Sequence, residues 1–471
     1  MIVMKFGGTS TQDAEAMRNV VGIVTANLNR KPLVVISAIA QATNMLEQTG
    51  KLAGQGKAGE ARDVLLKLFD RHYTIIDALI HDRQRHTELR KIVTQSFQEL
   101  EELVKGLAIV RELTPRMLDT FYCYGELLSS RIIAAALQEN GIAAEWLDTK
   151  DFLQTDENFN RASPVWNVVE ERLSSLALPL IKQGIVPVTQ GFIGATASGQ
   201  RTTMGRESSD YSASIIGTVL NVEDIQIWTD VDGVLTADPR IVVAPKKIKT
   251  LSFEEAYELS YFGAKVLHPK TILPAVEKNI PVHIFNSRRP NLSGTKVSAY
   301  VHPTGSAMKS VAYKRNVVVV NVMPKKRLSQ YMLWEHINNI LTQHDAVTNM
   351  TVTSEYSYAF VLESSNRISS IVDNLREIGV VTLLPEKGII CLVGSGIRQS
   401  PHIVNRIFHA IAEFGITMIS FGASSSNISF VVDDAVVPDV VRKIHAEFFE
   451  NNIDLQTFET LEHFTAQPQS V

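Results

Sequence analysis

Cysteine is almost absent. The 471 residues hold two, Cys123 and Cys391, too far apart for a zinc or redox spacing and too few for a disulfide framework. Both read as buried small hydrophobes. Excess positive charge is missing too. Lys and Arg total 46 against 50 Asp and Glu, a net charge of −4, so nothing argues for nucleic acid or an anionic membrane as a partner. No apolar run approaches the length of a membrane span. The N-terminus carries glycines and a lysine where a signal peptide needs its apolar core. No Ser-His-Asp or Cys-His nucleophile set is apparent, and no zinc spacing. These absences leave a cytoplasmic protein that works on something small.

What is present begins at once. Met1–Met4 are apolar and read as a buried strand, and Lys5, Gly7, Gly8, Thr9 and Ser10 follow. Met17, Val20, Val21, Val24 and Leu28 then fall on one helical face. Strand, glycine turn and helix in this order suit phosphate, because the glycines admit a ligand to the backbone and a helix start offers N–H groups. By itself a Gly-Gly after a strand is an ordinary tight turn.

At this length two or three domains are expected. Residues 31–37 form a second apolar strand ending in Ser37, and small polar residues run on to Thr43 and Asn44. Residues 44–110 contain no proline and read as an inserted helical hairpin or lid. Thr114-Pro115 breaks it, and a helix over 115–138 carries Gly125-Glu126. Further strands are expected at 185–194, 225–228 and 281–286, with helices between them, so residues 1 to about 290 alternate as a mainly parallel α/β sheet does. The Lys246-Lys247…Lys249 run reads as a solvated face. Residues 286–310 are rich in Pro, Gly, Ser and Asn and read as a linker. Beyond them the chain repeats itself. Strand 316–322, a helix, 346–351 and 357–362 recur about seventy residues later as 389–393, a helix, 416–421 and 427–432. Each copy reads βαββα, a small α+β module.

Several charged groups follow strand ends in the first half: Lys5, Arg206, Asp210, Asp230, Arg240 and Lys265. A parallel sheet gathers such ends on one rim, where ligands bind. Phosphoryl transfer asks the protein mainly for positioning and charge stabilisation, which such a set supplies.

Lys5-Phe-Gly-Gly-Thr-Ser10, Ser37 with Thr43-Asn44, Gly125-Glu126, Thr203-Met-Gly-Arg206 with Ser209-Asp210-Tyr211, Trp228-Thr-Asp-Val231, Asp238-Pro-Arg240 and Phe262-Gly-Ala-Lys265 stand in one order. In this order and over essentially its whole length, the chain resembles the aspartate kinases. The resemblance implies an amino-acid kinase αβα sandwich over 1–290, a linker over 291–312 and two ACT modules over 313–384 and 385–465. It implies transfer of the γ-phosphoryl group of ATP, with Mg²⁺, to the side-chain carboxylate of L-aspartate. That is the first step towards lysine, threonine, methionine and diaminopimelate. Lys5 and Asp210 are then the catalytic residues. Ser37, Thr43, Glu126, Arg206 and Ser209 hold the substrate, Arg206 on its α-carboxylate and Glu126 on its ammonium. Lys5, Gly7, Gly8, Ser10, Thr229, Asp230, Arg240 and Lys265 bind the nucleotide. Thr348, Asn349, Ser354 and Glu355 are the expected regulatory set for an amino-acid effector, lysine or threonine. A homodimer or homotetramer through the ACT modules is expected, with no nucleic acid and no membrane.

The sequence also departs from the family it resembles. Glu207 and Ser208 stand where two glycines are common, Leu235 where a tyrosine is frequent, and Asn349 where lysine-sensitive relatives tend to carry Asp. An effector ammonium is solvated by Asn349 but not neutralised, so weak or altered lysine feedback is expected.

Overall fold

A computed structural model describes residues 1–205, 208–263, 271–299, 308–325, 329–365, 367–450 and 454–461. The chain forms two compact units, Met1–Gly233 with Lys270–Ala299, and Val234–Pro269 with Tyr300–Val471. Residues 234–269 thus fall in the same compact unit as the C-terminal residues.

In chain order the first unit contains β1 (Ile2–Phe6), α1 (Ala14–Ala26), β2 (Pro32–Ile36), α2 (Ala42–Gly54), α3 (Ala58–Leu79), α4 (Arg83–Val110), α5 (Pro115–Glu139), β3 (Ala144–Trp146) and α6 (Thr149–Phe152). It continues with α7 (Trp166–Lys182), β4 (Val186–Gln190), β5 (Ile193–Ala195), β6 (Arg201–Thr203), α8 (Ser209–Val219) and β7 (Asp224–Thr229). The second unit contributes β8 (Lys247–Ile248), β9 (Thr250–Ser252) and α9 (Phe253–Tyr261) before the first resumes with α10 (Leu273–Glu277), β10 (Val282–Asn286) and β11 (Thr295–Ser298).

The strands of the first unit lie in the order β3-β4-β2-β1-β7-β10-β11. All neighbours are parallel except β10 and β11. Every residue of β1, β2 and β4 is buried, which is why these strands are largely apolar, with Lys5, Thr189 and Gln190 as their buried polar members. Register pairs Phe6 with Ile36 and Trp228, Ile36 with Gln190, and Thr229 with Asn286. The C-terminal ends of the central strands thus meet on one rim. Phe6, Trp228 and Phe285 stack beneath it, Trp228 and Phe285 with centroids 4.8 Å apart.

Three helices, α2, α3 and α4, replace the expected two-helix hairpin. The chain breaks at Gly56, whose φ of +82° suits glycine, and again at Asp82, which caps α4 by accepting from Arg85 N–H at 2.9 Å. Leu65, Phe69, Ile76, Leu89 and Val93 join the core that holds Ile2 and Met4, so these helices are part of the body of the unit. Helix α1 stops at Ala26, and Leu28, expected on its buried face, is 37% exposed beyond the helix end.

The expected linker over 291–312 contains a strand. β11 pairs antiparallel with β10, Val297 opposite Val282. Gly294 makes the turn at φ +63°, where a Cβ would lie 2.1 Å from the Ile284 carbonyl oxygen.

The second unit continues with β12 (Ser310–Pro324), α11 (Gln330–Gln343), β13 (Met350–Thr353), β14 (Tyr358–Glu363), α12 (Ile368–Ile378), β15 (Gly379–Val393), α13 (Pro401–Ala410), β16 (Met418–Phe421), β17 (Asn427–Asp433), α14 (Val437–His445) and β18 (Phe458–Glu459). The βαββα order occurs twice, and the strands form one antiparallel sheet ordered β13-β14-β12-β15-β17-β16. The expected boundary between residues 384 and 385 falls inside β15. This strand pairs with β12 along its length, from Gly379 opposite Pro324 to Val393 opposite Ser310.

The lysine run is not a solvated face. Lys247 is fully buried with its ammonium 3.0 Å from Glu459, and buried Lys246 donates to the Phe449 carbonyl. Lys249 donates to the Leu455 carbonyl at 2.8 Å, and β8 pairs with β18. Aliphatic stems pack while each ammonium finds an oxygen in the C-terminal segment. Both cysteines are buried. Among the described residues no helix is long and apolar enough to cross a membrane.

Candidate active site

Lys5 stands on the central strand, between Val35 of β2 and Ile227 of β7. It is 9% exposed, and its ammonium lies 2.6 Å from the Asp210 carboxylate. Asp210 sits in the first turn of α8, where the positive end of the helix favours a carboxylate. Gly7 donates its N–H to the Trp228 carbonyl at 3.0 Å, and a side chain there would begin 3.6 Å from the Lys5 ammonium. At Gly8 a Cβ would lie 3.1 Å from the Ala38 carbonyl oxygen, so the loops after β1 and β2 touch at the backbone.

The helix start behind the glycine turn is not left open as expected. Asp13 caps α1, its carboxylate accepting from Ala16 N–H at 2.8 Å. A carboxylate already fills that positive end. Among the described residues no side chain caps the start of α8, and it is there that Ser209 and Asp210 lie. Ser10 is buried, donating to the Ser287 hydroxyl at 2.7 Å and to the Trp228 carbonyl at 3.3 Å. It pins the glycine turn to the ends of β7 and β10.

Glu126 reaches the rim from α5. Its residue is 3% exposed, and one carboxylate oxygen accepts from Ala38 N–H at 3.3 Å. The other oxygen is buried with no hydrogen-bond partner among the described residues. Burial pushes this carboxyl up to about 8, against the pull of the Ala38 N–H. The close approach depends on Gly125, where a Cβ would meet that of Ala38 at 2.8 Å. Ser37 sits beside them, its N–H on the Phe6 carbonyl and its own carbonyl accepting from Ser129 at 2.8 Å. Thr43 lies in the first turn of α2, which opens from the same loop. Gly191, at the end of β4, faces Ser209 so closely that a Cβ would stand 2.6 Å from that of Ser209.

At the end of β7 the Thr229 hydroxyl donates to Asp230 at 3.2 Å, and the Thr229 carbonyl accepts from Ser287 N–H at 2.8 Å. A network not singled out from sequence supports this corner. Asp232, 4% exposed, accepts from Asn286 at 2.7 Å and pairs with Arg289. Its only sequence signal is the polar run Asn286–Arg289 after the last parallel strand.

The structure brings Lys5, Gly7, Gly8, Ser10, Ser37, Glu126, Ser209, Asp210, Thr229 and Asp230 to the rim of the first unit. Arg240 belongs to the second unit, forked on Asp238 at 2.6–3.1 Å. Arg206 and Lys265 lie outside the described residues, as does Glu207. Of the regulatory set, Thr348 and Asn349 precede β13 while Ser354 and Glu355 follow it. The Asn349 side-chain oxygen accepts from the Lys314 ammonium at 2.8 Å, and that ammonium also meets Glu363 at 2.6 Å. Thr348 accepts at its carbonyl from Tyr261 at 2.7 Å, and the Ser354 hydroxyl bonds that of Ser357.

A paired lysine beside a glycine turn and a buried carboxylate with no cation partner among the described residues suit a ligand with several negative charges and one positive one. Comparisons with known proteins agree. A model of the amino acid kinase family matches residues 1–286, and an ACT domain model matches 390–448. The chain is 34% identical to the chloroplastic aspartokinase 1 of Arabidopsis thaliana over 470 residues, covering 95% of this chain and 80% of that one. It is 32% identical to the lysine-sensitive aspartokinase 3 of Escherichia coli, covering 96% and 99%. The crystal structure of E. coli aspartokinase III with aspartate and ADP superposes with a TM-score of 0.83 at 31% identity, over 95% of this chain and 99% of that one. The chain belongs to the aspartokinases, within the amino acid kinase family.

Proposed function

We propose that the rim of the first unit is where this aspartate kinase moves the γ-phosphoryl group of ATP onto the side-chain carboxylate of L-aspartate. The observation that carries the reading is the Lys5–Asp210 pair at 2.6 Å on the end of the central strand. A carboxylate oxygen of aspartate attacks the γ-phosphorus, the bond to the bridging oxygen breaks, and ADP leaves with the electron pair. The attacking carboxylate is already ionised at neutral pH, so no general base is required. Lys5 neutralises charge on the transferring group, held in place by Asp210. Glu126 takes the substrate ammonium on its free oxygen. Arg206, Ser37, Thr43 and Ser209 hold its carboxylates, with the start of α8 adding N–H donors. Gly7 and Gly8 let the nucleotide phosphates approach, Ser10 holds that turn in shape, and Thr229 and Asp230 complete the nucleotide contacts of this unit.

Mg²⁺ would ride on the phosphates. Among the described residues no group of three or more His, Cys, Asp or Glu can hold a metal ion, and no step here is assigned to it. A hydroxylamine trap for acyl phosphate with ATP and L-aspartate tests the reading. Hydroxamate forms with aspartate and not with glutamate or N-acylated aspartate, which lacks the ammonium for Glu126. Preference for glutamate would move the assignment to a sister kinase.

The second unit is the regulatory part and the surface for a homodimer or tetramer. The Lys314 ammonium already occupies Asn349 and Glu363, so a free amino acid must displace it or bind elsewhere. Lysine is therefore a weak inhibitor here. Titrating lysine and threonine against activity checks this, and strong inhibition at micromolar lysine contradicts it.

A further inference from the structure

Helix α5 carries a second buried carboxylate, Asp119, seven residues before Glu126. Seven residues are close to two turns, so the two groups share one face, about 10 Å apart along the axis. Asp119 is fully buried. One of its oxygens accepts from Asn160 N–H at 2.9 Å and from Thr203 N–H at 3.0 Å, and the other accepts from the Thr203 hydroxyl at 2.5 Å. Asn160 belongs to the 156–163 turn, which Asp156 ties by accepting from Asn158 and Ser163 N–H. The Thr203 carbonyl in turn accepts from Ala162 N–H at 2.9 Å. Thr203 ends β6, and Arg206 follows three residues later.

We infer that Asp119 is a positioning residue for aspartate recognition: by clamping Thr203 at the end of β6 to α5, it fixes, relative to Glu126, the point from which the chain runs on to Arg206. This rests on the reading above, in which Arg206 takes the α-carboxylate and Glu126 the ammonium. Those two groups of an amino acid are a fixed distance apart, so their receptors must be referenced to one rigid element. α5 is that element, touching the Ala38 loop through Glu126 and the β6 end through Asp119. A neutral acceptor also fits. An asparagine carbonyl can receive both N–H groups while its amide donates to the Thr203 hydroxyl, which then acts as acceptor.

Steady-state kinetics on purified full-length variants tests this. Asp119→Leu is expected to raise the KM for aspartate about tenfold or more, as a small misplacement of a binding group does, with the KM for ATP unchanged within about twofold. Asp119→Asn restores the aspartate KM to within about threefold of wild type. Thr203→Val, which removes one donor and keeps the backbone pair, gives a smaller rise in aspartate KM and serves where Asp119→Leu does not fold. An unaltered aspartate KM in folded Asp119→Leu, or in Thr203→Val if that is the folded variant, overturns the inference, as does a parallel rise in both KM values. Arg206→Ala separates the two levels. If it leaves the aspartate KM unchanged, the underlying assignment of Arg206 fails. If it raises that KM while the Asp119 and Thr203 variants do not, only the clamp fails.

Discussion

Lys5→Ala will lower kcat on the order of 10³-fold, the usual cost of removing a preorganised charge from a transition state, while the aspartate KM stays near its wild-type value. Lys5 is poised for this and for little else. Its ammonium is almost enclosed, and its partner Asp210 holds it at the rim instead of letting it reach solvent. Loss of the side chain leaves Asp210 unpaired at the start of α8, where the helix dipole still favours a carboxylate. The fold therefore survives, and far-UV circular dichroism with the hydroxamate assay separates the two effects. Wild-type turnover in a folded Lys5→Ala protein would falsify the role given to Lys5. Asp210→Asn should fall between the two, because the lysine remains but is no longer aimed.

The second large effect belongs to Glu126→Gln. Glutamine keeps the acceptor for Ala38 N–H and nearly the same shape, and removes only the anion. The aspartate KM should rise about thirtyfold or more, the range measured for breaking a buried charge pair, with the ATP KM unchanged. The raised carboxyl gives this a pH signature. Near pH 7 the unliganded carboxyl, titrating at about 8, is largely protonated, so binding of an ammonium must expel a proton. For the wild type, kcat/KM for aspartate should climb with pH towards about 8, and the Gln variant should lack that rise. Calorimetry in buffers of different ionisation enthalpy detects the proton directly. Stability runs the other way. A carboxyl whose folded value is raised favours the protonated native state, so the unliganded protein loses stability as pH climbs from the ordinary carboxyl range through about 8. Denaturation midpoints at pH 6 and 8.5 should differ more for the wild type than for Glu126→Gln. Equal slopes would mean that Glu126 is ionised in the free enzyme.

The central parallel strands were legible because they are mostly buried and so are written as short, largely apolar segments, Ile2–Phe6 and Pro32–Ile36 above all. The polar residues near their C-terminal ends, Lys5 in β1 and Thr229 in β7, were legible as departures from those apolar segments. Glu126 was readable only through family resemblance. Inside a helix a glutamate normally faces water, and its burial follows from Gly125 letting α5 close on Ala38. The lysine run 246–249 looked solvated because nothing local reveals that residues more than two hundred positions later supply its oxygens. The role of α1 misled for a different reason. The glycine turn is real, yet Asp13 closes the helix start behind it.

Sequence alone determined the strand–helix alternation of the first half, the duplicated βαββα modules and the residue types at the strand ends. Each is written in local periodicity or in a motif read along the chain. Only tertiary structure decided that Asp13 caps the start of α1, that Asp119 and Glu126 lie buried on one face of α5, and that residues 234–269 pack with the C-terminal unit. Those outcomes depend on burial and on hydrogen-bond partners far away in the chain. A residue's neighbours in sequence carry no record of either.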